Sequence, residues 1–350
     1  MRGIAVAAVA ATALVPAAVA EGATRTVTAG APGKVKGQPK DGDVNAFFRK
    51  TVTVRVGDKV KWTMNGFHTV TFPKKGTKPP PFISPDPAVK VAGVNDAAGA
   101  PFWFNGQPRL VLDKLGALPV VGRSYDGSKL VSSGAPLSQG KPKPYTLKFT
   151  KKGSYTYYCT IHPGQKGSVK VVGKGRAIPS AKANRKAAKK EYARDVKRLV
   201  KDAKFSGPAG NEILAGNDTV RTALFRYFPA TKAVPVGTTV TLSMPAKTSE
   251  THSFTFGPAD YLKGIADAFI QPDPAGVLVH NPIIPFPSDV PALPAYDGTN
   301  HGNGFLNTGN LDRDPATPSP GSTQVTFSKA GTYSYICLLH PFMKGQLVVG

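Results

Sequence analysis

The sequence predicts an all-β protein, built as two β-sandwiches in tandem with a basic helix between them. Three observations lead there. Valine, threonine and aromatic residues alternate with polar ones in short runs separated by Gly-Asp, Lys-Gly and Pro-rich turns, in a chain of 350 residues holding 37 Gly and 33 Pro. That is the signature of loop-rich β structure rather than of a helical bundle. The chain also repeats itself: GSYTYYCTIHPGQKG at 153–167 and GTYSYICLLHPFMKG at 331–345 agree at eight of fifteen positions, at an offset of 178. Between the two copies, residues 176–204 hold eleven basic and three acidic side chains with apolar residues at helical spacing.

Taken from the start, residues 1–20 read as an export signal. Arg2 precedes the apolar run IAVAAVAATALVPAA, and Ala18-Val19-Ala20 forms a small-x-small cleavage pattern. The mature chain is then expected outside the cytoplasm, in a periplasm, at a cell surface or in the medium. No other apolar run approaches the roughly 18 residues that span a bilayer. Residues 21–175 form the first predicted domain, 176–206 the linker and 207–350 the second domain. In the linker, Ser180 is placed as N-cap, and Ala188, Tyr192, Val196, Leu199, Val200 and Ala203 form one apolar stripe that docks on a neighbouring domain. The halves also match upstream: Phe47 to Phe72 parallels Phe228 to Phe256, with an offset of 180 at Gly57 and Gly237 and of 184 at His68 and His252.

Net charge is +24, or +23 once Arg2 leaves with the signal. Such an excess favours an acidic redox partner protein or an anionic cell surface. No nucleic-acid-binding motif accompanies it, and the aromatic residues follow strand patterns, so nucleic acid is not expected.

Strand alternation puts Tyr155, Tyr157 and Cys159 on one face, and Tyr333, Tyr335 and Cys337 on its equivalent. Each thiol therefore ends a core-facing row, with a histidine on the loop that follows. Two cysteines in an exported chain are by default a disulfide, yet these stand at equivalent places in two repeats, each beside its own histidine. A thiolate and two imidazoles with a weak fourth donor make a trigonal His2Cys site that suits both oxidation states of copper. The first half supplies His68, Cys159, His162 and Gln165, the second His252, Cys337, His340 and Met343. Zinc is the lesser fit, because a structural zinc site takes four firm N or S donors.

A strand-borne histidine followed by Tyr-x-Tyr-x-Cys-x-x-His-Pro-x-Met-x-Gly resembles the cupredoxins, and ICLLHPFMKGQLVV resembles their amicyanin and plastocyanin branch. The resemblance covers both halves but not the linker or the long insertions. It implies two Greek-key sandwiches with one type 1 copper ion each, hence two in all, and an electron carrier rather than an enzyme. It places the axial ligand on Met343, and on Gln165 in the first half, where an amide oxygen resembles the ligand of stellacyanin-like proteins. That harder donor is expected to lower the first site's potential, so that it passes electrons to the second. The resemblance also implies that His162 and His340 reach the surface as electron exits, rimmed by Pro163, Pro341 and Phe342.

The chain departs from the small family members in length, for His68 and Cys159 lie 91 positions apart and His252 and Cys337 lie 85 apart. Both insertions contain Pro-Asp-Pro and Tyr-Asp-Gly, so they belong to the repeat and are expected to fold as ordered loops over the sandwich. Two rival functions remain. A two-domain copper oxidoreductase, of the nitrite reductase or multicopper oxidase type, would need further histidines at an interface, and only His280 and His301 are left over. A copper-binding or storage protein would carry methionine- or histidine-rich tracts, which are missing.

Overall fold

The computed structural model describes residues 22–33, 36–138, 140–314 and 317–350, and the predicted signal at 1–20 lies outside them. In the first half two five-stranded sheets face each other. One runs in the order Phe47–Phe48, Thr24–Ala29, Lys59–Met64, Tyr145–Phe149, Ser124–Tyr125; the other runs Val131–Ser132, Thr71–Phe72, Gly153–Tyr158, Lys166–Val172, Thr51–Arg55. The second half repeats this plan with Tyr227–Phe228, Glu212–Ala215, Thr238–Ser243 and Ser322–Phe327 opposite Thr231–Val234, Lys344–Val349, Gly331–Ile336, Thr255–Phe256 and Leu306–Asn307. The alternation in the sequence becomes alternation of burial: Val52 and Val54 point inward while Thr51 faces out, and Val60, Trp62 and Met64 line the same core. The sheets are mixed rather than purely antiparallel. Thr24–Ala29 lies parallel to Lys59–Met64, and Lys166–Val172 parallel to Thr51–Arg55. Long intervening segments supply the crossovers that a tight hairpin cannot.

Each half has its own aromatic core, and the repeated motif closes it. Tyr157 and Tyr335 are fully buried, and directly across the ladder from them stand Gly167 and Gly345. A Cβ on either glycine would meet the tyrosine ring at 2.4 Å, so the last glycine of each motif is there to seat a ring. Tyr335 in turn packs on Tyr227, Phe254 and Phe256 with centroids 4.7–5.7 Å apart. Gly345→Ala is expected to destabilise the protein by roughly 1–3 kcal/mol, the usual cost of overpacking a core. Calorimetry would show this as a lowered unfolding temperature, and an unchanged one would discount the contact.

The insertions join the halves. Ile270–Pro272 and Leu278–His280 from the second half continue a sheet formed by Pro108–Leu112 and Ile83–Lys90 from the first. The two Pro-Asp-Pro motifs meet on one cation: Arg109 bonds Asp86 at 2.9 Å and Asp273 at 2.7 Å. In the Tyr-Asp-Gly turns, Gly127 and Gly298 have φ of +92° and +85° and abut Tyr155 and Tyr333. The second insertion adds a helix, Ala259–Asp267, which sequence reading did not anticipate. Its Leu262 and Ile265 pack with Phe102, Phe104, Ile284 and Leu338, a cluster drawn from both halves.

The stretch between the halves is helical over Ala181–Asp202, and the Ser180 hydroxyl accepts from Ala183 N. Its Tyr192, Val196 and Leu199 pack against Val44 and Phe48 on one side and Leu224 and Phe228 on the other. The helix thus buries its stripe against both halves instead of one. Among the described residues, no helix is long and apolar enough to cross a membrane.

Candidate metal centres

In each half the strand that carries the tyrosine row ends at the cysteine, and a tight loop returns the chain to the next strand. Cys159 N donates to Gln165 O and Gln165 N to His162 O, both at 3.0 Å. The second half repeats this, with Cys337 N donating to Met343 O at 3.2 Å and Met343 N to His340 O at 2.8 Å. These bonds fix the loop histidine over the cysteine. The other histidine arrives from the facing segment. His252 is pinned there by a two-way backbone pairing with Leu311, at 3.1 and 2.8 Å.

The outcome is two nearly equal clusters. Cys159 Sγ lies 3.9 Å from His68 Nδ1 and 3.3 Å from His162 Nδ1, and the two nitrogens are 3.1 Å apart. Cys337 Sγ lies 3.7 Å from both His252 Nδ1 and His340 Nδ1, which are 3.2 Å apart. Ligand bonds of about 2.0 Å to nitrogen and 2.3 Å to sulfur require donor separations of about 3.3–3.7 Å, and the observed spacings bracket these values. Both cysteines are free and buried, which rules out the disulfide. Each sulfur also accepts a backbone N–H at 3.4 Å, from Thr69 in the first cluster and Ser253 in the second. Among the described residues these are the only two groups in which three His, Cys, Asp or Glu donors gather so closely.

The fourth positions differ. Gln165 is buried, and neither end of its amide has a hydrogen-bond partner, as suits a side chain held for a ligand. Met343 is fully buried in the same apolar cluster as Cys337. His280 and His301 stay apart from both centres. His280 is buried beside Phe269, and His301 is held between Asp96 at 3.0 Å and Asp289 at 3.1 Å.

Charge distinguishes the two centres further. Burial lowers the pKa of His68 to about 4 and also lowers that of His162. Burial raises the Cys159 thiol. In the second centre, burial disfavours the charged form of His252, but Asp218 and Cys337 outweigh it and raise the pKa to about 10. Burial likewise opposes ionisation of Cys337, but His252 and His340 draw its pKa well below the ordinary thiol range. The source of the asymmetry is Asp218, whose buried Oδ2 stands 3.5 Å from His252 Nε2. His68 Nε2 has no such neighbour and faces Gly30, where a Cβ would stand 2.7 Å away.

The expectation that His162 and His340 reach the surface is corrected. The His162 side chain is 11% exposed and that of His340 20%, and both turn Nε2 toward the same buried carboxylate, Glu250. The halves pack with these two loops face to face, which covers the rings that a single sandwich would leave open. Phe342, beside them, is 64% exposed. Sequence reading missed Asp218, Glu250 and the two N–H donors. Thr69 and Ser253 were within reach, since each follows its histidine at the same place in the repeat. Glu250 was not, because Gly66 occupies its position in the first half.

No protein-family model and no curated protein matches the chain. Its neighbours among solved structures are cupredoxins. A purple cupredoxin from Nitrosopumilus maritimus is 18% identical, with 40% of this chain and 100% of that one covered, at a TM-score of 0.21. The plastocyanin of the fern Dryopteris crassirhizoma is 19% identical over 40% of this chain and 99% of that one, also at 0.21. A mutant amicyanin in its Cu(I) form is 19% identical over 43% of this chain and 89% of that one, at 0.22. Likeness at this level concerns the sandwich alone.

Proposed function

We propose that this chain is an exported electron-transfer protein holding two copper ions, one in each half. We assign residues 21–175 and 207–350 as its two domains about the 176–206 linker. The observation that supports this best is the duplication of the donor set, one thiol and two imidazole Nδ1 atoms within 4.8 Å of one another in each half. His68, Cys159 and His162 would hold the first ion with Gln165 as fourth donor; His252, Cys337 and His340 would hold the second with Met343. Copper bound by such a set supplies the reversible gain and loss of one electron.

The rest is the work of the chain's own residues. Thr69 and Ser253 direct N–H groups at the sulfurs and stabilise their negative charge. The aromatic cores hold the thiols on rigid strands, so the donors keep one geometry in both oxidation states. Phe225 packs on His340 with centroids 4.8 Å apart and touches the exposed Phe342, an apolar rim on which a redox partner would dock. The basic surface would steer an acidic partner toward it. His280 and His301, the histidines an interface copper enzyme would need, lie in separate surroundings and do not assemble a third centre.

Titrating the metal-free protein with copper tests this. Blue absorption and type 1 paramagnetic resonance are expected to rise to two ions per chain. Saturation without that colour, or at zinc only, would overturn the proposal.

A further inference from the structure

Among the described residues, Glu250 is the carboxylate that faces both centres. Its Oε1 lies 3.6 Å from His162 Nε2 and its Oε2 lies 3.7 Å from His340 Nε2. The residue is 5% exposed, and Asn45 from the first half donates its Nδ2 to Oε1 while Thr248 Oγ1 accepts the Glu250 backbone N–H at 2.8 Å. These contacts hold the side chain across the junction between the halves. With Nδ1 of each ring turned to its own cluster, each Nε2 faces a separate oxygen of one carboxylate. Burial opposes the charged form of this carboxyl group; Asn45 is its hydrogen-bond donor, and the two imidazole Nε2 atoms stand against its two oxygens at ion-pair rather than hydrogen-bond distance.

We infer that Glu250 bridges the two centres, coupling the ring of His162 to the ring of His340 and making the protein an intramolecular electron-transfer pair. This rests on the two-copper reading above and adds to it a route and a residue. With copper held in both centres, an electron given up by one would be taken up by the other, so the exchange would consume no outside oxidant or reductant. It follows that the ring of His162, covered by the second half, exchanges electrons with the outside through the second centre, whose His340 lies beside the exposed Phe342. Glu250 acts through the histidines, so it is a positioning residue.

The test uses the full chain loaded with copper. A sub-stoichiometric pulse of an organic radical reduces part of the protein, and rapid-freeze paramagnetic resonance follows the electron as it re-equilibrates between the two centres. Glu250→Gln removes the charge and leaves one oxygen to face two rings, and Glu250→Asp keeps the charge but is one methylene too short to stand against both. In both, re-equilibration is expected to slow by about tenfold or more, the usual scale of activity lost with a group that orients a ligand ring. The resting resonance signal of each centre and the copper count should stay as in the parent, which a merely structural role for Glu250 would not predict. Unchanged re-equilibration in either variant that retains two ions would overturn the bridge. A parent protein that fails to take two blue copper ions would overturn the functional proposal instead, and that is seen at the loading step. Asn45→Ala provides the second arm: it loosens Glu250 without touching either histidine, and it should slow re-equilibration in the same direction.

Discussion

Replacing Cys337 with serine is expected to remove the second centre's blue absorption entirely while the first remains, so that copper content falls from two ions per chain to one. The sulfur is the anionic donor of its set. It is fully buried, drawn into its ionised form by His252 and His340, and supported by the Ser253 N–H. A serine hydroxyl stays protonated at neutral pH and is a hard oxygen, so it replaces neither the charge nor the softness that holds copper in both states. Structural damage should be slight, because the swap is nearly isosteric and Cys337 is held by its backbone bond to Met343 O. The reciprocal Cys159→Ser should remove the other half of the colour. Metal analysis and the visible spectrum read both outcomes. If either variant lost both centres, or neither, the two clusters would not be independent sites.

Asp218→Asn is expected to raise the reduction potential of the second centre by about 60–120 mV. Its buried carboxylate stands 3.5 Å from His252 Nε2 and is fixed by Leu224 N at 2.7 Å and Thr248 Oγ1 at 3.2 Å. A negative charge beside a ligand imidazole makes it a stronger donor and favours the more positive metal state. Removing such a partner typically shifts relative affinity by about 10–100-fold, and each tenfold is about 59 mV for one electron. The amide would also turn an N–H toward the imidazole's own donor. Spectroelectrochemical titration of both proteins gives the result, and equal potentials would show that Asp218 does not tune the site. This charge acts against the ordering expected from Gln165 alone. As a ligand, the hard Gln165 amide would lower the first potential, but the first centre has no counterpart to Asp218, so the sign of the gap would depend on both.

The sandwich architecture and the six thiol and imidazole side chains that gather in two clusters were legible in the sequence because each is a local pattern printed twice. Alternation fixes which face Tyr157 and Tyr335 occupy, and a three-residue spacing fixes the loop from Cys337 to His340. Repetition did the rest, since a coincidence at His68 would not recur at His252. Sequence reading stopped short where partners come from distant segments without a repeat. The mixed sheets, the helix Ala259–Asp267 and the sheet shared by the insertions all depend on contacts between stretches far apart in the chain.

What the sequence by itself determined is which thiols and imidazoles gather and the β framework that presents them, since strand period and loop length follow from neighbouring residues. Only the tertiary structure decided how the two halves face each other. That packing buries His162, aims both loop histidines at Glu250 and sets Asp218 against one centre alone. The physical reason is that burial and charge proximity are properties of the assembled surface. A carboxylate such as Glu250 gains its role from the two rings that meet it, and nothing in its own stretch of chain specifies either one.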